Sequence, residues 1–144
     1  MTRFVVRTDL QRIVGWEDRL ADLANAWRDR PYAYGRSDCG RFAQGAVAAI
    51  TGVTLPEGID WPTGWLGAAK FMISNGWDNI EAPMNELLPP VAAAASRIGD
   101  VVSYEAIGEL HLAVRVGNTA LTPGPVGLVC VERRRWLRAW KAGG

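Results

Sequence analysis

Histidine is almost missing from this chain: His111 is the only one in 144 residues. Cysteine is scarce as well, and Cys39 and Cys130 lie far apart. Two such residues make no disulfide framework, and a chain of this length can bury a core without one. The lack of a Cys-x-x-Cys pair also counts against a thiol redox protein. An excess of one charge is missing, with 16 Lys and Arg against 15 Asp and Glu. Nucleic-acid binders show a basic excess or stripe, so this balance argues against that class. The one basic cluster, Arg133-Arg134-Arg135, reads as a solvated strand end. No apolar window approaches the length of a membrane span, and the N-terminus has no apolar signal region. The expectation is a soluble chain made in the cytoplasm. With no internal repeat and no low-complexity tract, the length fits one domain spanning 1–144.

The two scarce residue types occupy suggestive places. Cys39 follows the polar turn Tyr34-Gly35-Arg36-Ser37-Asp38 and opens the apolar, Ala-rich run that begins Gly40-Arg41-Phe42-Ala43. That puts the thiol at a helix N-terminus, where backbone N–H groups and the helix dipole favour a thiolate. His111 opens the run His111-Leu112-Ala113-Val114-Arg115-Val116-Gly117, which alternates like a strand. His111, Ala113 and Arg115 share one face, and the small Ala113 leaves room for a helix end. A nucleophile on a helix start and a base on a strand form half of a Cys-His hydrolase site. A surface histidine at a strand start is the bland alternative. Cys130, inside Gly127-Leu128-Val129-Cys130-Val131, reads as a buried structural thiol.

Periodicity predicts a helix from Trp16 to before Pro31, with Trp16, Leu20, Leu23, Ala24 and Trp27 on one face. A second helix is predicted over 39–51, buried along Phe42, Ala43, Ala46, Val47 and Ile50. Ser37 or Asp38 would cap its start and Gly52 its end. The Pro-punctuated stretch 53–97 predicts a helix over 63–75 and a short one over 83–88. Strands are expected over 100–104, 111–116, 119–122, 127–132 and 136–140, with a tight hairpin at Gly117-Asn118. Segment 3–7 is either a short strand or a surface arm. Helices first and strands second predict an α+β domain, with the helices on one face of an antiparallel sheet. Trp16, Trp27, Trp65 and Trp77 read as core residues. Trp61, the least periodic, reads as local packing or as the lining of a groove or partner surface.

The segment Tyr32-Ala33-Tyr34-Gly35 followed by Asp38-Cys39-Gly40 resembles the nucleophile segment of the NlpC-type, papain-like cysteine peptidases. Gly99-Asp100-Val101-Val102 resembles that family's Gly-Asp strand, and His111 through Asn118 its His strand ending at Gly-Asn. The resemblance covers roughly residues 16–141. It implies a papain-like NlpC-type fold with a helical, irregular insertion at about 53–97. It also implies cleavage of peptide bonds in bacterial wall peptides, with Cys39 and His111 catalytic, Tyr32, Tyr34 and Asp38 beside the substrate, and no cofactor or metal. The helix beginning Trp16-Glu17-Asp18-Arg19-Leu20, the Asp38-Cys39 helix start and the terminal Arg138-Ala139-Trp140 resemble a small subgroup found in tails of phages and phage-like particles. For that subgroup the implied partners are peptidoglycan stem peptides and a tail-tip or hub protein.

The chain departs from the family at two places. Gly40 stands where a Ser usually follows the nucleophile. The third polar residue, commonly His, Asn or Gln, matches Thr122 here, with Pro123 beside it; Asn118 in the hairpin turn is the runner-up. Three readings follow: an active wall-peptide hydrolase, a catalytically weak adaptor or plug of a tail tip on the same fold, and a thiol acyl-transfer or redox protein.

Overall fold

The computed structural model describes residues 4–59 and 61–144. Within segment 3–7, Arg3 lies outside the described residues, and 4–7 form neither helix nor strand. The stretch acts as an arm. The Arg7 N–H donates to the Leu87 carbonyl at 2.9 Å, and its guanidinium bridges Asp9 and Glu57.

Four helices precede a sheet. They are α1 (Trp16–Trp27), α2 (Cys39–Thr51), α3 (Trp65–Ser74) and α4 (Glu81–Leu87). Six strands follow: β1 (Pro90–Val91), β2 (Val101–Ala106), β3 (Glu109–Arg115), β4 (Thr119–Gly124), β5 (Gly127–Glu132) and β6 (Ala139–Trp140). They form one antiparallel sheet in the order β1-β6-β2-β3-β4-β5. This is the α+β architecture that the sequence predicts.

α2 begins and ends where its caps dictate. The Asp38 carboxylate accepts from the Arg41 N–H at 2.8 Å, and Gly52 closes the helix with a positive φ of 78°. Its apolar stripe, Phe42, Ala46, Val47 and Ile50, packs on Val101, Leu112, Val114 and Trp140 of the sheet. α4 starts two residues earlier than predicted, because the Asn79 side-chain oxygen Oδ1 accepts from the Glu81 and Ala82 N–H groups.

The sheet's other face has its own smaller core of Val102, Tyr104, Ala113, Ala120, Val131, Trp136 and Ala139. Trp136 explains why the last strand is shorter than predicted. Residues 133–135 form a 3-10 turn that swings its ring onto this face, where its indole N–H donates to the Val131 carbonyl at 3.1 Å. Cys130, expected to be buried, is exposed. Alternation turns Val131 into the second core and Cys130 to the opposite side. On that side the residue that caps α1 reaches the start of β5, the Arg28 carbonyl accepting from the Leu128 N–H. Trp65 is a second correction, at 66% exposure.

Asp100, in the Gly-Asp segment, is almost fully buried. Its carboxylate accepts from the Arg12 guanidinium at 3.0 Å, the Ala142 N–H at 3.0 Å and the Arg97 N–H at 2.8 Å. One side chain thus ties the N-terminal segment, the loop before β2 and the C-terminus together. Asp100→Ala would leave the Arg12 guanidinium, still bonded to the Ala142 and Ile98 carbonyls, without its counter-charge and two backbone donors unserved. The expected loss is about 3–5 kcal/mol in chemical denaturation; a loss below about 1 kcal/mol would show that the clamp is dispensable.

Candidate active site

β2 pairs with β3 along the whole of its own length, from Val101↔Val114 to Ala106↔Glu109. The pairing of β3 with β4 is different. Among the described residues the register is confined to Val114↔Leu121 and Arg115↔Ala120. Beyond that point β4 stays with β5 as far as Gly124↔Gly127, so the sheet opens between β3 and β4.

Leu112 lies at the opening. Opposite it, Ser103 sends its N–H and carbonyl away, to the Arg138 carbonyl and the Leu137 N–H. Ser103 and Leu112 are therefore a non-hydrogen-bonded pair, and Leu112 directs both its backbone groups towards the opening. Buried backbone groups without partners are costly. The Thr122 hydroxyl donates to the Leu112 carbonyl at 2.8 Å, and the Leu112 N–H bonds the Cys39 sulfur. The N-terminus of α2 fills the space that a strand pair would occupy.

The turn before Cys39 is built for this placement. Asp38 accepts from the Gly35 N–H at 2.7 Å as well as from Arg41. Gly35 has a φ of 80°, and a Cβ there would fall 2.3 Å from the Gly64 carbonyl oxygen. No other residue fits. The Tyr32 N–H donates to the Gly124 carbonyl at 2.8 Å, which fixes the segment to the end of β4. A Cβ at Gly40 would sit 3.3 Å from Ile80 Cδ1, so Ile80 crowds the space where the usual Ser would stand.

Cys39 and His111 line one cleft of about 680 Å³. Tyr32, Tyr34 and Asp38, expected beside the substrate, line it too. Thr122 is not among the lining residues. Its hydroxyl is engaged with Leu112 and lies 3.4 Å from the Tyr104 hydroxyl. Among the described residues, the imidazole's neighbours are others. Nε2 is 3.2 Å from the Ala106 carbonyl oxygen, and the ring stacks on Tyr104 at 5.4 Å between centroids. Asn118 stays exposed at the far end of β3, in the hairpin closed by Val116 and Thr119.

Sequence reasoning missed part of the wall. Trp65, Met72, Asp78, Asn79, Ile80 and Glu109 also line the cleft. Trp61 lines it while stacking on Trp77 and meeting Phe71 at a tilt, so both readings of that residue apply. The Arg41 guanidinium holds the loop in place by donating to the Trp61 and Pro62 carbonyls. For Tyr104 a signal existed: a two-residue turn at Gly108 places it opposite His111.

The thiol is not the thiolate that a helix start alone would favour. Burial pushes Cys39 up to about 12. The N–H groups of Leu112, Cys39 and Gly40 pull it down and the Asp38 charge raises it, but desolvation wins. Burial also raises Tyr32, to about 12, with the charges of Cys39 and Asp38 adding to it. Tyr34 and Tyr104 are raised by burial too.

Two expectations follow. A small alkylating agent such as iodoacetamide at neutral pH should modify exposed Cys130 well before Cys39, as mass mapping would read. Faster labelling of Cys39 would contradict its burial. The second concerns alkaline stability. In the unfolded chain Cys39 ionises near the usual thiol value of about 8.5, while the folded protein keeps its proton until about pH 12. The unfolded state binds fewer protons in that window, so stability falls as pH rises, by up to about 1.4 kcal/mol per unit. Urea unfolding of Cys39→Ala should show a shallower loss from about pH 8.5 to about 10, below the ordinary tyrosine range. Equal slopes in the two proteins would rule out a thiol held neutral by burial.

Comparison with known proteins agrees at the level of the fold. A crystal structure of a protein similar to a lipoprotein of the NLP/P60 family, from Staphylococcus aureus subsp. aureus Mu50, matches with a TM-score of 0.55 and 14% identity. The match covers 96% of this chain and 45% of that one, so the chain spans under half of the neighbour's length. No curated protein matches the chain. A family model described as a domain of unknown function, DUF6950, matches residues 11–142, and the chain belongs to that family.

Proposed function

We propose that this protein is a cysteine hydrolase that cleaves peptide bonds of bacterial cell-wall peptides. One observation carries the reading. On an NLP/P60-like fold, a cysteine at a helix N-terminus and the chain's only histidine line the same cleft. His111 takes the thiol proton as the Cys39 sulfur attacks the substrate carbonyl. The oxyanion is held by the Cys39 N–H at the head of α2, and the imidazolium then protonates the leaving amine. Water releases the acyl group from sulfur. Tyr32 and Tyr34 flank the substrate. Asp38 contributes charge and shape, because both its oxygens already accept from backbone N–H groups.

A neutral resting thiol fits an enzyme whose proton transfer waits for substrate. The same burial favours a second reading, a catalytically weak adaptor or plug on this fold. Placement in a phage or phage-like tail, with a tail-tip or hub protein as partner, rests on the resemblance at 16–20, 38–39 and 138–140. Attachment there would raise the local concentration of wall peptides and offset slow turnover on soluble ones.

The test is hydrolysis of a tetrapeptide stem and of intact wall, followed by product mass. Cys39→Ala and His111→Ala should each lower turnover by about 10³-fold or more while the protein stays folded. Unchanged turnover in Cys39→Ala would end the hydrolase reading, and a folded but inactive wild type would leave the adaptor.

A further inference from the structure

Among the described residues, the imidazole's polar contact is to main chain, not to a third side chain. β2 and β3 are joined after the Ala106↔Glu109 pair by two residues, Ile107 and Gly108, both with positive φ of 53° and 72°. This is the geometry of a type I′ hairpin turn, whose first central position prefers Asn, Asp or Gly. A β-branched residue there is a strained choice. The Ile107 side chain is fully exposed, so packing does not offset the strain. What the turn fixes is the Ala106 carbonyl, 3.2 Å from His111 Nε2.

A carbonyl oxygen only accepts hydrogen bonds. Nε2 therefore carries the hydrogen, and Nδ1 of the neutral ring keeps the lone pair. Tyr104, opposite His111 in the register, supports the ring face at an interplanar angle of 25°. Its hydroxyl points to Thr122, whose own hydrogen goes to the Leu112 carbonyl. We propose that the Ala106 carbonyl, held by the Ile107–Gly108 turn, does the work of the third residue. It fixes His111 as the Nε2–H tautomer and leaves Nδ1 to take the thiol proton. Ala106 is thus a positioning residue, and its part in catalysis rests on the hydrolase reading.

One histidine makes the test direct. Protein labelled with ¹⁵N-histidine gives one imidazole spin system. For the neutral ring we expect a pyrrole-type Nε2 and a pyridine-type Nδ1. Thr122→Val and Ile107→Asn, which leave the carbonyl in place, should keep this pattern. Gly108→Val, strained at its positive φ, should move it towards averaged tautomers. An Nδ1–H or averaged ring in the wild type overturns the proposal. So does a pattern lost in Thr122→Val and kept in Gly108→Val. If a variant fails to fold, the wild-type spectrum decides alone. A fixed Nε2–H ring in a protein without hydrolytic activity would uphold the placement and remove the hydrolase reading. An averaged ring in an active enzyme would do the opposite.

Discussion

A strand that loses its neighbour must find new partners for every other residue's backbone pair, and Leu112 is where this fold meets that demand. β3 and β4 pair at Val114↔Leu121 and Arg115↔Ala120 and then diverge. The freed carbonyl goes to Thr122 and the freed N–H to Cys39. The start of α2 is fixed in the opening, with the sulfur beside the backbone of the residue next to His111. Cys39 belongs to the helix-side core and Tyr104 to the core of the other face, and a charge placed on the sulfur would raise the Tyr104 phenol. The cleft forms where those two layers meet.

This arrangement trades reactivity for order. Desolvation of the sulfur outweighs the helix start, so the resting pair is a neutral thiol and an imidazole bonded to a carbonyl. Among the described residues, three carboxylates, Asp38, Asp78 and Glu109, line the cleft, and no Lys or Arg does. Of these, Asp38 adds to the desolvation that keeps the thiol protonated at rest.

The α+β class and the bounds of α2 were legible in the sequence because strong local signals agreed: caps at Asp38 and Gly52, and an apolar stripe between them. Cys39 and His111 were legible because each is rare, Cys39 as the first residue of α2 and His111 near the start of β3. Failures came where tertiary context decides. Cys130 sits in an apolar run, but whether a strand residue is buried depends on which neighbour covers that face. Trp65 looks like core by periodicity and instead lines a cleft wall. Thr122 was legible as the polar residue on the strand after His111, but its hydroxyl contacts Leu112 and Tyr104 while the imidazole Nε2 faces the Ala106 carbonyl. A main-chain partner such as the Ala106 carbonyl has no residue-type signature, so no reading of side chains could find it.

The central claim is that substrate in the cleft turns a protected thiol into a nucleophile. A stem-peptide halomethyl ketone, incubated with the protein and mapped by mass spectrometry, tests it most directly. The account predicts an adduct on Cys39 that is lost in His111→Ala, even though Cys130 is the more exposed thiol. An adduct confined to Cys130, or one on Cys39 that forms equally well without His111, would contradict it.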